Sequence, residues 1–384
     1  MEKATLQQTK DHNRRLIFDT ISKYPAGTSR ASLSRETGLA KPTVSEIVAE
    51  LVAEGWLEEV GMGISSGGKP PLMLRLREGA RNVLCLDLSG GKFSGGVFDL
   101  RGNLLARRWR NLQGGQGEQL FSCLKDLVDE LLDSTTAPVM GLTLGVPGLV
   151  DPDEGRVIHS ISLGWTNYAL VDKLKEHYSM PIYLANDSHL AAYAECMARG
   201  NAAGNLLLVN TNKGIGAGLI LHGDLFWGDH FHAGELGHVQ IDPHGERCEC
   251  GHRGCLETIA SVEAIMQKTK SIHVPCEWND VVEMAAAGDN AVTIVIQNAA
   301  DALGRALAQA AGLLNIQDVV IAGKITQLGR PFLNRLQETF NESVHSSIAV
   351  QTRLSYSRFE EDIILFGASA WMMRLPIDFI RKEE

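Results

Sequence analysis

From Arg81 onward, short apolar runs that stop at Asp, Gly or Pro alternate with amphipathic stretches of helical period, and the order begins twice. Residues 83–88 predict a buried strand with Asp87 near its end. Residues 97–99 and 104–109 continue the sheet across a turn at 100–103, and residues 118–132 carry an amphipathic helix. Residues 139–146 form another buried strand, stopped by Pro147 and Gly148. The second series has strands at 206–210 and 214–221, a long helix at 291–314 and a strand at 319–322 ahead of Gly323. Strands alternating with helices make an α/β fold. Two such series are most simply two lobes with a cleft between them.

The first eighty residues have a different texture. Residues 11–24 place Leu16, Ile17 and Ile21 at helical spacing, and Pro25-Ala26-Gly27 ends the run. Ser29 suits the N-cap of a short helix over 30–37 closed by Gly38, because a hydroxyl there satisfies a free backbone N–H. A third helix accepts Pro42 in its first turn, gathers Val44, Ile47, Val48 and Leu51 into one apolar stripe, and ends at Gly55. Strands at 56–60 and 72–76 flank a glycine-rich tip, and residues 65–71 of that tip read SSGGKPP. Two short helices with this spacing, followed by a hairpin, predict a winged helix-turn-helix over residues 1–82. In such a module the exposed start of the third helix reads bases in the major groove. Lys41, Thr43, Ser45 and Glu46 stand there. Arg14, Arg15, Arg30, Arg35 and Lys69 are the candidates for phosphate contacts, Lys69 on a slim tip suited to a minor groove.

Charge divides the chain in the same place. Residues 1–82 hold 12 Lys and Arg against 10 Asp and Glu, whereas the remainder holds 24 against 36. The whole protein is therefore no general polyanion binder, but its first segment is fit to meet double-stranded DNA. No run of eighteen apolar residues and no apolar leader occurs, and seven cysteines do not make a disulfide scaffold. The expectation is a cytoplasmic protein without membrane insertion.

Four metal-ligand types stand close together. His238, Cys248, Cys250 and Cys255 form the pattern H-x9-C-x-C-x4-C, with Gly251 and Gly254 allowing tight turns. One imidazole and three thiolates complete a closed tetrahedral site, which is structural Zn²⁺ rather than hydrolytic chemistry. His244 and His252 fall outside the pattern, and Cys85, Cys123, Cys196 and Cys276 are scattered. Around the metal loop lie groups able to bind sugar hydroxyls: Asn186 and Asp187 at a strand end, Glu235 and His238 three residues apart, and Glu257 two residues past the last cysteine. A metal that holds His238 would also place Glu257. Asn186 and Asp187 equally suit a helix N-cap. Trp165, in the segment 162–167, is either a stacking platform for a sugar ring or a structural aromatic.

With these motifs the chain resembles the ROK-family transcriptional repressors, among them those of N-acetylglucosamine, xylose and glucose regulons. In that family a winged helix is fused to a sugar-kinase-like body. The resemblance covers nearly the whole chain and is most specific from Gly214 to Glu257. It implies a multidomain protein, with a winged helix-turn-helix followed by a two-lobed α/β body of actin-like, ribonuclease-H-like fold. The body would occupy residues 83–384. Lobe one would take about 83–186 plus a C-terminal helix at 366–384, and lobe two about 187–365 with the zinc loop 238–255. It implies that Gly148, Asn186, Asp187, Glu235, His238 and Glu257 line the sugar pocket, with Asp187 as general base if the protein is a kinase. It also implies a homodimer or dimer of dimers on operator DNA.

Against catalysis stand three loops that hold nucleotide in the family's kinases. Here they read Asp87-Leu88-Ser89-Gly90-Gly91-Lys92, Asn210-Thr211-Asn212-Lys213-Gly214-Ile215-Gly216 and Ala322-Gly323-Lys324. Each departs from the kinase pattern, whereas the sugar and zinc residues are intact. The sequence therefore predicts a sugar-responsive regulator, a repressor of carbohydrate genes, rather than an enzyme. The alternatives are an ATP-dependent sugar kinase, a repressor governed by a sugar-transport protein, and an activator.

Overall fold

The computed structural model describes residues 6–374 except 25, 64–69, 113, 201–203 and 273–276. Lys69 and most of the expected wing tip, Cys276, and residues 375–384 of the expected C-terminal helix lie outside the described residues.

The first unit contains α1 (Leu6–Ser22), β1 (Thr28–Ser29), α2 (Arg30–Thr37), α3 (Lys41–Ala53), β2 (Leu57–Met62) and β3 (Leu72–Leu76). Ser29 caps α2, its Oγ accepting the Ser32 N–H at 3.2 Å. The stripe Val44, Ile47, Val48 and Leu51 is buried against Ile17, Phe18 and Ile21 of α1. The expected hairpin forms, and β3 also pairs with β1, giving the sheet order β1-β3-β2. The helix α1 begins at Leu6, ahead of the expected 11; residues 7–10 are polar and carry no periodic apolar signal from which that start could be read.

A five-stranded sheet follows, built from β4 (Asn82–Asp87), β5 (Lys92–Asp99), β6 (Leu104–Asn111), β7 (Val139–Val146) and β11 (Ile182–Asn186) in the order β11-β7-β4-β5-β6. The helix α4 (Glu118–Asp133) covers one face. A small sheet of β8 (Leu149–Asp151), β9 (Arg156–Ser160) and β10 (Trp165–Tyr168) leads through α5 (Leu170–Lys175) back to β11. Leu84 and Leu86 of β4 pack with Leu124, Leu127 and Leu131 of α4. Val83 and Cys85, on the other face, join a second core. Burial on both faces explains the unbroken apolar run.

The second sheet repeats the plan. Its strands β12 (Leu206–Thr211), β13 (Ile215–Leu221), β14 (Asp224–Phe226), β15 (Asp318–Ala322) and β16 (Arg353–Tyr356) run in the order β14-β13-β12-β15-β16. In both sheets the first strand is central, flanked by its antiparallel hairpin on one side and by two parallel strands on the other. Helices α7 (Glu257–Ala260), α8 (Val262–Ile272), α9 (Trp278–Ala286), α10 (Asn290–Leu314), α11 (Gly329–Ser343) and α12 (Ser346–Gln351) belong to this lobe. The helix α10 starts on the Asp289 cap, whose Oδ1 accepts from Ala291 and Val292 at 3.0 Å.

Two helices join the lobes. The helix α6 (Asp187–Ala198) packs on β12 and β13, and α13 (Ile363–Met372) packs on β4 and β7. They cross so closely that a Cβ on Gly367 would lie 1.9 Å from the Leu190 carbonyl oxygen. Only glycine fits there. The helix α13 starts three residues before the expected 366.

Candidate functional site

The parallel strands β4, β7 and β11 end at one edge of the first sheet, where open α/β sheets hold their ligands. Register places Asp87 beside Gly145 and Asn186 beside Val146. The Asn186 side chain is engaged in three bonds. Its Oδ1 accepts from Ser188 N at 2.9 Å and His189 N at 3.2 Å, and its Nδ2 donates to Gly148 O at 2.9 Å. Asn186 is thus the N-cap of α6 and also ties down the Gly148 turn. Asp187 opens α6, and its Oδ1 accepts from Ser188 N at 2.8 Å. Burial, then the facing Asp87 carboxylate, push the Asp187 pKa up from the ordinary 3.8 to about 7. Burial also raises Asp87. Asp87 lay outside the residues proposed from sequence. In the sequence it closes a buried apolar strand and opens the first nucleotide-type loop, but its meeting with Asp187 is a product of the fold.

Lobe two supplies the other expected groups. Glu257 opens α7 and accepts from Ile215 N at 2.9 Å. Glu235 is raised by burial, an effect opposed by His238 and His232. His238 Nε2 stands 3.7 Å from Glu235 Oε2, while His238 Nδ1 faces the Cys248 sulfur at 3.5 Å. One imidazole therefore turns one nitrogen to the cysteines and the other to the acid. His189, absent from the sequence reading, is buried, and its Nε2 lies 2.8 Å from the Ala233 carbonyl on the segment leading to Glu235.

The ligand atoms of His238, Cys248, Cys250 and Cys255 all lie within 4.8 Å of one another. Three soft sulfurs and one imidazole nitrogen at that range suit a tetrahedral divalent metal. Strand-like bridges between Gln240 and Cys255 and between Arg247 and Arg253 fold the loop on itself. Gly254, at φ +65°, is indispensable to that fold, since a Cβ there would lie 1.5 Å from Asp242 O. His252 Nδ1 comes within 3.7 Å of the Cys250 sulfur without joining the cluster.

The structure decides one open reading and turns two candidate phosphate contacts inward. Trp165 is 1% exposed, donates from Nε1 to Gly117 O at 3.1 Å and stacks on Tyr168 at 4.8 Å. It is a structural aromatic and cannot stack on a ligand. Arg14, a candidate phosphate contact, is 3% exposed and bridges Glu50 at 3.0 Å and Glu54 at 2.6 Å. Packing of α1 on α3 turns this cation inward. Arg15 also faces the protein, bonded to Asp19 and the Met373 carbonyl. Lys41, Ser45, Glu46 and Arg35 are exposed, Thr43 is half-buried, and Arg30 pairs with Glu59 at 3.1 Å.

At the ends of β12 and β15 a side chain ties two loops together. Asn212 Oδ1 accepts from Lys324 N at 2.9 Å, and Asn212 Nδ2 donates to Asn210 Oδ1 at 3.0 Å. Among the described residues no helix is long and apolar enough to cross a membrane.

The ROK family profile matches residues 83–374, and the IclR helix-turn-helix domain profile matches residues 16–61. The xylose repressor of Bacillus subtilis is 28% identical over 384 residues, spanning 99% of this chain and 100% of that protein. The DNA-binding transcriptional dual regulator NagC of Escherichia coli is 29% identical, spanning 92% of this chain and 90% of its own. A solved ROK family transcriptional regulator, a homolog of the E. coli MLC protein, superposes with a TM-score of 0.85 at 26% identity, covering 97% of this chain and 98% of its own. A ROK glucokinase from Streptomyces griseus shares the fold of the body, with a TM-score of 0.69 at 22% identity, covering 76% of this chain and 98% of its own.

Proposed function

The chain belongs to the ROK family, and we propose that it is a sugar-responsive, DNA-binding repressor of genes for carbohydrate uptake or catabolism. The observation that carries this reading is the union in one chain of a winged helix with a ROK body. Of the proteins similar along nearly its full length, one is named a xylose repressor and another a DNA-binding transcriptional dual regulator. The winged helix, assigned to residues 1–82, docks the start of α3 in the major groove. There Lys41, Thr43, Ser45 and Glu46 meet bases, and Arg30 and Lys69 meet backbone. The effector sits in the cleft of the body, residues 83–384. Asp187, Glu235, Glu257 and the Nε2 of His238 bind its hydroxyls, and the Gly148 turn held by Asn186 shapes the wall. His238, Cys248, Cys250 and Cys255 hold zinc, which when bound supplies a structural crosslink. The chain's own contribution is then to keep His238 oriented toward Glu235 and to hold the segment that ends at Glu257. The protein acts in the cytoplasm as a dimer, because two half-sites of operator DNA call for two winged helices.

The test is fluorescence anisotropy of the purified chain on the DNA upstream of its own gene, titrated with a panel of sugars without ATP. Release by one sugar supports the reading and names the effector. Specific binding that no sugar changes favours control by a protein of sugar transport. Absence of specific binding, repeated in a genome-wide selection, sinks it.

One feature favours a kinase: Asp187 opens α6 at the cleft, where burial and the facing Asp87 push its carboxyl up to about 7, as suits a general base. The loops speak against it. Asn212 stands where the kinases of the family carry glycine, and its side chain takes the Lys324 N–H, so phosphate loses both space and a donor. ATP-dependent phosphorylation of any sugar on the panel would reverse this choice.

A further inference from the structure

Three parts of the chain, far apart in sequence, meet at the last turn of α13. The Met373 carbonyl accepts a hydrogen bond from the Arg15 guanidinium of the winged helix. Arg15 is held in line by Asp19, 2.8 Å away one turn along α1. The next residue, Arg374, reaches into lobe two. Its Nη1 donates to Gly223 O at 3.3 Å, and its Nη2 lies 3.2 Å from Asp224, both in the β13–β14 hairpin. Its guanidinium carbon also stands 5.9 Å from the ring centre of Tyr193 on α6. Tyr193 lies six residues after Asp187, on the helix whose first turn faces the cleft.

The packing around this junction is stiff. The helices α6 and α13 touch at Gly367 and Leu190 with no slack. The helix α6 rests on the second sheet and α13 on the first. Tightly packed elements shift as units rather than deform. Any rotation of one lobe against the other therefore displaces the Gly223–Asp224 hairpin relative to the end of α13. The two arginines sit across that displacement, one holding the hairpin and one holding α1. The apolar core runs the same way, joining Ile17, Phe18 and Ile21 to Tyr193 and Met372.

We propose that Arg15 and Arg374 are positioning residues that make the winged helix follow the movement of the lobes, so that a ligand in the cleft changes operator affinity through this junction. The inference rests on the proposed sugar response and names the route by which it reaches DNA. Neither arginine touches the cleft or the exposed face of α3. The Asp224 side chain is 76% and the Arg374 side chain 50% exposed, and exposed pairs contribute little to stability. Removing that pair should therefore leave both binding sites intact, and Arg15, 19% exposed, is judged by its unchanged sugar-free operator Kd.

The experiment uses the full chain and the variants Arg15→Ala, Arg374→Ala and Asp224→Ala. Operator affinity is measured alone and with D-xylose, N-acetyl-D-glucosamine or D-glucose, and sugar affinity separately. For the wild type, saturating cognate sugar is expected to change the operator Kd by about fivefold or more, as coupled sites commonly do. In each variant the change is expected to fall below about twofold, with sugar Kd and sugar-free operator Kd within about threefold of wild type. In Arg374→Ala/Asp224→Ala the loss should equal that of either single variant, because both remove the same link. A second readout needs no sugar. Amide exchange in residues 15–22 is expected to speed up severalfold in Asp224→Ala, although Asp224 belongs to lobe two. A sugar response retained in all three variants, or exchange in α1 unaltered by Asp224→Ala, overturns the proposal. A wild type that binds operator but answers to none of the three sugars points to another effector of the proposed function, and the exchange result then decides the junction alone.

Discussion

Replacing Asp187 with Asn is expected to stabilise the sugar-free protein, and more at alkaline than at acid pH. Burial and the neighbouring Asp87 raise this carboxyl from 3.8 to about 7. A group whose folded-state pKa is raised favours folding below its unfolded pKa and loses that contribution as pH climbs through the folded value. The wild type therefore sheds stability from this group between about pH 4 and about pH 7, and above that the loss is complete. A shift of roughly three units sets a ceiling of about 4 kcal/mol. Asp187 is only half-buried at the edge of a wet cleft, so screening reduces the figure to about 1–2 kcal/mol. Asn has the same shape, and its oxygen can keep the 2.8 Å bond from Ser188 N, so only the charge changes. The assay is thermal unfolding of both proteins, side by side and without sugar, at about pH 5 and about pH 8.5. At the higher pH the variant should melt several degrees above wild type, at about 2–4 °C per kcal/mol for a domain of this scale. The gap should narrow at the lower pH. Equal midpoints at the higher pH, or a wider gap at the lower, would refute the reasoning. The same variant is expected to lose release by sugar, since it gives up a carboxylate proposed to bind hydroxyls.

Cys255→Ser, at a buried ligand position, or treatment with a chelator should lower metal content per chain measured by atomic emission and weaken sugar binding at least about tenfold, as loss of metal-site support commonly does; unaltered sugar affinity in the metal-free protein would detach the loop from the pocket. Arg14→Met should lower resistance to denaturant by about 1–3 kcal/mol, because Glu50 and Glu54 lose their buried partner; a change in the salt dependence of DNA binding at unchanged stability would instead restore it as a phosphate contact. Ser45→Ala and Glu46→Gln should each alter preference at one operator position by about 1–3 kcal/mol in a binding selection, and an unaltered preference would remove α3 from base reading. Trp165→Phe should leave the choice of sugar unchanged and cost about 1 kcal/mol in unfolding free energy, the loss of its bond to Gly117.

Much of the fold is legible in the sequence because its signals are local. The Ser29 cap and the bounds of α2 are decided by bonds within a few residues, and the bounds of β3 and β7 by unbroken runs between turn residues. The metal ligands fall within one stretch of eighteen residues, from His238 to Cys255, so spacing alone brings them together. The repeat of strand order between the lobes also appears as a repeat of texture. The early start of α1 is missed because residues 7–10 carry no apolar period.

What sequence could not decide is which distant groups share a space. Arg14 looks like any surface cation until α1 lies on α3 and places Glu50 and Glu54, thirty-six and forty residues on, against it. Trp165 is equally suited to a sugar or to a core until Gly117 supplies its acceptor. Asp87 raises Asp187, a hundred residues on, only because β4 and β11 flank β7 as parallel strands of one sheet. Arg15, Arg374 and Asp224 come together only at the joint between winged helix and lobes. The Ser29 cap, the central strands of both sheets and the spacing of the candidate metal ligands are legible in the sequence, because they depend on hydrogen bonds and side-chain periods spanning a few residues. Tertiary structure alone decided which charges are buried, paired or shifted, because solvation and Coulomb energy depend on distances through space that no local spacing records.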